Sequence, residues 1–362
     1  MRKMKGVGIT AQNKVEVLDD CVLPEEKDIS PYGALITPKI WSPCTSDAHQ
    51  CATGCATLPY LLGKACGHEM CGVVNYVGSE VKDFKPGDRV IVDAIMPRWR
   101  SLEAQDGHAS VISDNMYWGV DYPDRGGVFV ENYYIRDADI NLAHIPDNVT
   151  WEQAVMVPDM MCTAFAGTKA LELEYGDSVA VIGVGPVGLM ATRACVLGGA
   201  GKIYVVGSRK VCFKVAKEYG ATECVDYHNE DYIDEIIKLN GGPVDKVIIA
   251  GGNADSINKA LQVVKRGGII ANLSAYFQDK EFPINAALWG YGYSDKTIKA
   301  IPCAGGRNVL NRMVNLIATG RVQPEKLITH RYTGMEKIID AMDLFLSHDR
   351  SLIKPVILAD EN

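Results

Sequence analysis

A chain of 362 residues, 47% hydrophobic and 23% charged, has the make-up of a globular protein long enough for two domains with separate cores. That composition excludes a disordered chain, and a formal net charge of −8 argues against a nucleic-acid partner, which needs a basic face. The longest apolar run, residues 178–190, carries three glycines and a proline and is too short to span a bilayer.

The basic start at residues 1–5 is not followed by an apolar core, because Gln12, Asn13 and Lys14 interrupt it. No targeting peptide is expected, so the chain is placed in the cytoplasm, with no membrane partner. Eleven cysteines in such a chain point to metal binding, catalysis or plain burial rather than to a disulfide framework.

In chain order, the first 160 residues read as β-rich with irregular loops. Residues 73–78 and 89–92 are strand-like, separated by a turn at 84–88 that contains Pro86 and Gly87. Between them and the amino terminus lies the most informative stretch, Gly67-His68-Glu69-Met70-Cys71-Gly72, running on to Gly78. Cys44 stands upstream in Pro43-Cys44-Thr45-Ser46-Asp47, and Asp159 downstream in Val157-Pro158-Asp159-Met160-Met161. Thiolate, imidazole and carboxylate are the ligand types Zn²⁺ prefers, and three of them with one open position make a catalytic site.

Glu69 is either a fourth ligand that leaves when substrate arrives or a support for its neighbour His68. Ser46 and His49 follow Cys44 closely enough to relay a proton outward; Ser46 could otherwise serve only as a helix cap. Cys51, Cys55, Cys66 and Cys71 have spacings too loose for a four-cysteine zinc lobe, and no cysteine occurs between Gly72 and Met161. Residues 96–127, rich in Asp, Gly, Pro and Trp, read as a long functional loop.

From about Thr163 strands alternate with helices. Strands are expected at 179–182, 202–206, 223–227, 244–250 and 268–273, with helices at 189–197, 211–219, near 233 and at 256–264. This pattern predicts a parallel sheet covered on both faces. After Gly305 a helix at 309–319 and a closing strand at 352–358 are expected.

Gly183-Val184-Gly185-Pro186-Val187-Gly188 stands between the first of these strands and its helix. G-x-G-x-x-G there is a dinucleotide turn: one glycine turns the chain, one admits the pyrophosphate, and one lets helix and strand touch. At the end of the next strand, where an NAD site usually carries an acid, the chain has Gly207-Ser208-Arg209. With no acid to repel a 2′-phosphate and an arginine able to fork onto it, the site is read as one for NADP(H). Together the two sites predict hydride transfer directly between a substrate carbon and a nicotinamide, while zinc draws charge from the substrate oxygen.

Gly67-His68-Glu69-x-x-Gly72-x5-Gly78-x-x-Val81 resembles the signature of the zinc-containing medium-chain dehydrogenases/reductases. Across nearly the whole chain, and above all in residues 43–47, 77–90, 155–161, 183–190 and 207–209, it is most similar to the tetrameric NADP-dependent secondary alcohol dehydrogenases of anaerobic bacteria and amoebae. The resemblance implies an α/β fold in which a Rossmann doubly wound parallel sheet, residues 163–303, is inserted in a GroES-like β-rich catalytic domain, residues 1–162 and 304–362. It implies metal ligands Cys44, His68 and Asp159 with Glu69 exchangeable, and a relay of Ser46 and His49. NADP(H) contacts would fall on Gly183, Gly185, Val187, Gly188, Gly207, Ser208, Arg209 and Tyr227. The pocket would be lined by Ala94, Ile95, Trp118 and Cys303.

One catalytic zinc, no structural zinc, a homotetramer and small secondary alcohols or ketones as substrates, with aldehydes as a further class, complete that expectation. Residues 58–66 and 111–124, and Pro302 in place of a usual leucine, depart from the family pattern near the pocket. Three rival readings are a zinc polyol or sugar dehydrogenase, a non-catalytic NADPH-binding protein and a zinc-free quinone reductase. The Gly207-Ser208-Arg209 run disfavours the first, and the retained ligand types disfavour the others.

Overall fold

The computed structural model describes residues 2–96, 101–107, 126–276 and 281–360. The chain forms two compact units, Met1–Cys162 with Ala304–Asn362, and Thr163–Cys303.

The first unit opens with a hairpin of β1 (Arg2–Ala11) and β2 (Lys14–Leu23), turned at Asn13 with φ 57°. β3 (Ala34–Trp41), β4 (Met70–Val77), β5 (Arg89–Val92), β6 (Tyr133–Ile135) and β7 (Leu142–His144) follow. β3, β4, β5 and β7 pair antiparallel in that order, and β6 pairs with β3.

In the second unit β8 (Ser178–Ile182), β9 (Lys202–Gly207), β10 (Glu223–Asp226), β11 (Val244–Ile249), β12 (Val264–Asn272) and β13 (Thr297–Ala300) make a parallel sheet ordered β10-β9-β8-β11-β12-β13. This is the doubly wound order, reversing direction between β8 and β11, where such folds bind ligands. β8, Ser-Val-Ala-Val-Ile, is buried along its whole length, as a central parallel strand must be. Its core joins Ala180, Ile182, Tyr204, Val206, Val247, Ile249 and Ile270 to Ile257, Ala260 and Leu261 of the helix Ser256–Val263.

The chain then returns to the first unit with the helix Arg307–Ala318, β14 (Ile328–Thr333), the helix Ile338–Leu346 and β15 (Lys354–Leu358). β15 pairs with both β14 and β3, so the last strand completes the sheet begun near the amino terminus. Ile338, Ala341, Met342 and Ile357 thereby share one core with Val7, Ile36, Trp41, Val74, Val92 and Phe129.

Several elements differ from the expectation. The helix after β8 spans Pro186–Leu197, three residues earlier than expected, because proline at its first position needs no N–H partner. β12 starts at Val264 rather than Gly268, since Val264 already pairs with Val244 before a register shift. The short helix Leu102–Gln105 lies within the stretch read as a loop; the rest of that stretch, Trp118 included, falls largely outside the described residues. β1, β2, β3, β6, β7, β13 and β14 had no sequence expectation.

Candidate metal centre and dinucleotide turn

Each candidate metal ligand sits at an element end where the backbone is fixed. Cys44 immediately precedes the helix Thr45–Ala52. His68 and Glu69 lead directly into β4. Before them Gly67 has φ 86°, and a Cβ there would lie 2.3 Å from the Phe129 ring, so only glycine delivers His68 at this point. Asp159 lies in a single wide turn, Val157–Met161, where the Met161 N–H bonds the Met156 carbonyl five residues back. Such π-type turns re-aim side chains at functional sites, and Pro158, which lacks an N–H, suits the break.

The four side chains converge. Ligating atoms of Cys44, His68, Glu69 and Asp159 all lie within 4.8 Å of one another. Asp159 Oδ2 is 3.5 Å from Cys44 Sγ and 3.4 Å from His68 Nε2, and Glu69 Oε1 is 3.6 Å from His68 Nε2. A tetrahedral Zn²⁺ with bonds of about 2.0–2.3 Å has ligand-to-ligand edges of about 3.3–3.8 Å. All three separations fall inside that range. Among the described residues Glu69 Oε2 is buried with no hydrogen-bond partner. The donor set therefore fits zinc.

Two further residues complete the site. Asp47 is 2% exposed. Its Oδ1 lies 3.3 Å from His68 Nδ1 and its Oδ2 accepts the Cys44 N–H at 2.9 Å. A carboxylate on Nδ1 fixes the ring with Nε2 turned inward, the usual support of a zinc histidine. Lys354 of β15, fully buried, donates to Glu69 Oε1 at 2.6 Å and to the Pro43 carbonyl at 3.0 Å.

Charge shifts follow. Burial pushes the His68 imidazole down, but the charge of Asp47 and the ring's hydrogen bonds to Asp159, Asp47 and Cys44 outweigh it and hold it well above its ordinary value. Burial pushes the Cys44 thiol up, against the pull of Lys354. Burial opposes the charge on Lys354, yet Glu69 and Cys44 prevail and raise it to about 12.

Ser46 and His49 lie three apart on the helix Thr45–Ala52, hence on one face, with Ser46 half-buried and His49 exposed at its last turn. Burial of part of the ring and the neighbouring His348 lower the His49 pKa. Ala94 and Ile95 follow β5 in the first unit, Cys303 is the last residue of the second, and Trp118 lies outside the described residues.

In the second unit Gly183 leaves β8 with φ 100°. A Cβ at Gly188 would stand 1.9 Å from the Gly183 carbonyl, so helix and strand touch through glycine. At Gly185 a Cβ would meet nothing within 4 Å. That open space lies before the amino end of the helix Pro186–Leu197, with Val187 in its first turn, and fits a pyrophosphate. At the end of β9 Ser208 donates to the Tyr227 hydroxyl at 3.1 Å, with Arg209 next in the chain. A Cβ at Gly207 would lie 1.8 Å from Val184 Cγ1.

Asp47 was legible only as part of the Pro43–Asp47 motif, without a role. Lys354 was missed: a lone lysine in a terminal strand carries no local signal.

Residues 30–147 match the family model for the alcohol dehydrogenase GroES-like domain, and residues 186–319 that for the zinc-binding dehydrogenase. The chain is 43% identical to the NADP-dependent isopropanol dehydrogenase of Thermoanaerobacter brockii, over 98% of this chain and 99% of that protein. It is 41% identical to the enzyme of the same name from Clostridium beijerinckii, over 98% and 100%. The sorbitol dehydrogenase of Bacillus subtilis is 29% identical over 91% of each chain. Among solved structures, an alcohol dehydrogenase from Thermus sp. ATN1 superposes with a TM-score of 0.86 at 25% identity, covering 99% of this chain and all of that one.

Proposed function

The chain belongs to the zinc-binding alcohol dehydrogenase family, and from that premise we propose that it interconverts small secondary alcohols and ketones with NADP(H). The carrying observation is the Cys44–His68–Glu69–Asp159 cluster, three of whose edges match those of a tetrahedral zinc site. The substrate class is supported by the isopropanol dehydrogenases named above, and the choice of NADP(H) by Gly207-Ser208-Arg209 with no acid among them.

In this reading Cys44, His68 and Asp159 hold one zinc per chain, and Glu69 binds it exchangeably. Zinc supplies Lewis acidity at the substrate oxygen, and NADP(H) gives or takes the hydride. Asp47 holds Nδ1 and so keeps the His68 ring turned with Nε2 toward the other ligands. Ser46 passes the substrate proton toward His49, whose lowered pKa keeps its ring able to accept it near neutral pH. Gly183, Gly185, Val187 and Gly188 cradle the pyrophosphate, and Ser208, Arg209 and Tyr227 with Gly207 receive the 2′-phosphate. Ala94 and Ile95, which follow β5 in the unit that holds the metal cluster, are read as the substrate wall beside it.

A cytoplasmic homotetramer is part of the same proposal. Among the described residues no helix is long and apolar enough to cross a membrane. Assembly is supported by β13, which among the described residues has a strand partner on one side only, and by Trp289, Tyr291 and Tyr293, which are exposed nearby in the chain.

The test is a substrate panel. Propan-2-ol with NADP⁺ and acetone with NADPH should turn over far faster than sorbitol with either cofactor. Preference for sorbitol would move the chain to the polyol dehydrogenases.

A further inference from the structure

Glu69 Oε1 has two claimants. It lies 2.6 Å from Lys354 Nζ and 3.6 Å from His68 Nε2, the second distance being an edge of the metal tetrahedron. Lys354 is fixed by a second bond, to the carbonyl of Pro43, the residue before Cys44. It therefore cannot move off without disturbing the backbone at another ligand. Charge arithmetic assigns it a task. A thiolate and the carboxylates of Glu69, Asp159 and Asp47 sum to −4, a divalent cation would leave −2, and one buried ammonium brings the site to −1. An uncompensated buried charge is costly, so this balance matters to how firmly each anion clings to the cation.

We propose that Lys354 is a positioning residue that competes with the metal for Glu69 and so keeps the fourth coordination position available to substrate. The proposal rests on the reading of Glu69 as an exchangeable ligand. With Lys354 in place, Glu69 has a charged alternative to the metal at nearly the same coordinates and can leave without becoming a stranded buried anion. Without it, the metal is the remaining cation within reach, and Glu69 stays on it.

This makes a prediction opposite in sign to that of an ordinary structural lysine. Zinc-loaded Lys354→Met should lose zinc to a chelator more slowly than wild type, roughly tenfold or more, as removal of a nearby repelling charge implies. Its kcat should fall while the KM for NADPH is unchanged. Lys354→Arg should stay near wild type in zinc release, and Glu69→Gln combined with Lys354→Met should abolish the slowing. If Lys354→Met does not fold, Lys354→Gln, which keeps a donor for Pro43, carries the same test.

Zinc release faster than wild type in the neutral variants would overturn the proposal and leave Lys354 as a mere brace. The two readings separate through the double variant. Slowing in Lys354→Met that survives the addition of Glu69→Gln would be a charge effect alone and would sink Glu69 as a ligand. Unslowed release in Lys354→Met, with zinc bound at wild-type stoichiometry, would sink only the role of Lys354.

Discussion

At His68 the surroundings and the proposed function pull in opposite directions. Without metal, Asp47 and Asp159 favour the charged ring, and burial favours the protonated Cys44 thiol. A metal needs neutral His68 and a thiolate, so binding must expel both protons. Both groups have raised pKa values, so each still holds its proton near neutral pH and rising pH removes the competitor. Zinc affinity, measured by chelator competition between about pH 6 and pH 8, should therefore rise by more than tenfold per pH unit. A rise of tenfold or less per unit would mean that only one of the two protons is displaced, and a flat profile that neither is. Asp47 bridges His68 and the Cys44 amide, so Asp47→Ala should weaken zinc binding about 10–100-fold with the fold intact, as loss of such supports does. Unchanged zinc affinity in that variant would remove Asp47 from the site.

At the scale of the element, the β8 turn and the end of β9 are packed against each other through Val184 and Gly207. An acid at 207 is the obvious route to NAD preference, but its Cβ would collide with Val184 Cγ1. Gly207→Asp should therefore need Val184→Gly beside it. Together with Arg209→Ser, that variant should prefer NAD by the ratio of kcat/KM values, whereas Arg209→Ser alone should raise the KM for NADPH on the order of tenfold to a hundredfold. An unaltered KM would leave Arg209 without a phosphate to bind.

These elements also show what the sequence makes legible. The glycine turn was readable because its geometry is local: strand, turn and helix occupy residues 178–197. Cys44, His68 and Asp159 were readable as ligand types. Lys354 was not, because its partner Glu69 is 285 residues away and nothing near a lysine announces such a contact. The wide turn that aims Asp159 was also hidden, since Val157–Met161 reads like any helical start. β13, Thr-Ile-Lys-Ala, is short and partly charged, and is a strand only because β12 offers it an edge.

Across the whole molecule, the first unit is assembled from two distant stretches of chain, and Asp93 helps to join them. Fully buried after β5, it accepts the N–H groups of Ile95 and of Gly306, where the chain re-enters the unit. Burial raises its pKa to about 8 against the pull of those amides. The sign follows: between the ordinary carboxylate range and about 8 the folded protein holds a proton that the unfolded chain has lost. This contribution to stability is therefore full at low pH and is lost as pH rises to about 8. Unfolding of Asp93→Asn and wild type, followed in urea at pH 5 and pH 8, should show the Asn variant gaining relative to wild type as pH rises. A constant difference would mean that Asp93 is ionised throughout.

The measurement that bears most directly on the whole account is NADPH oxidation with acetone, before and after a chelator strips the protein, with zinc counted at each stage. The account predicts activity that vanishes with the metal and returns when Zn²⁺ is restored. Acetone reduction that persists in protein shown to be zinc-free would contradict it.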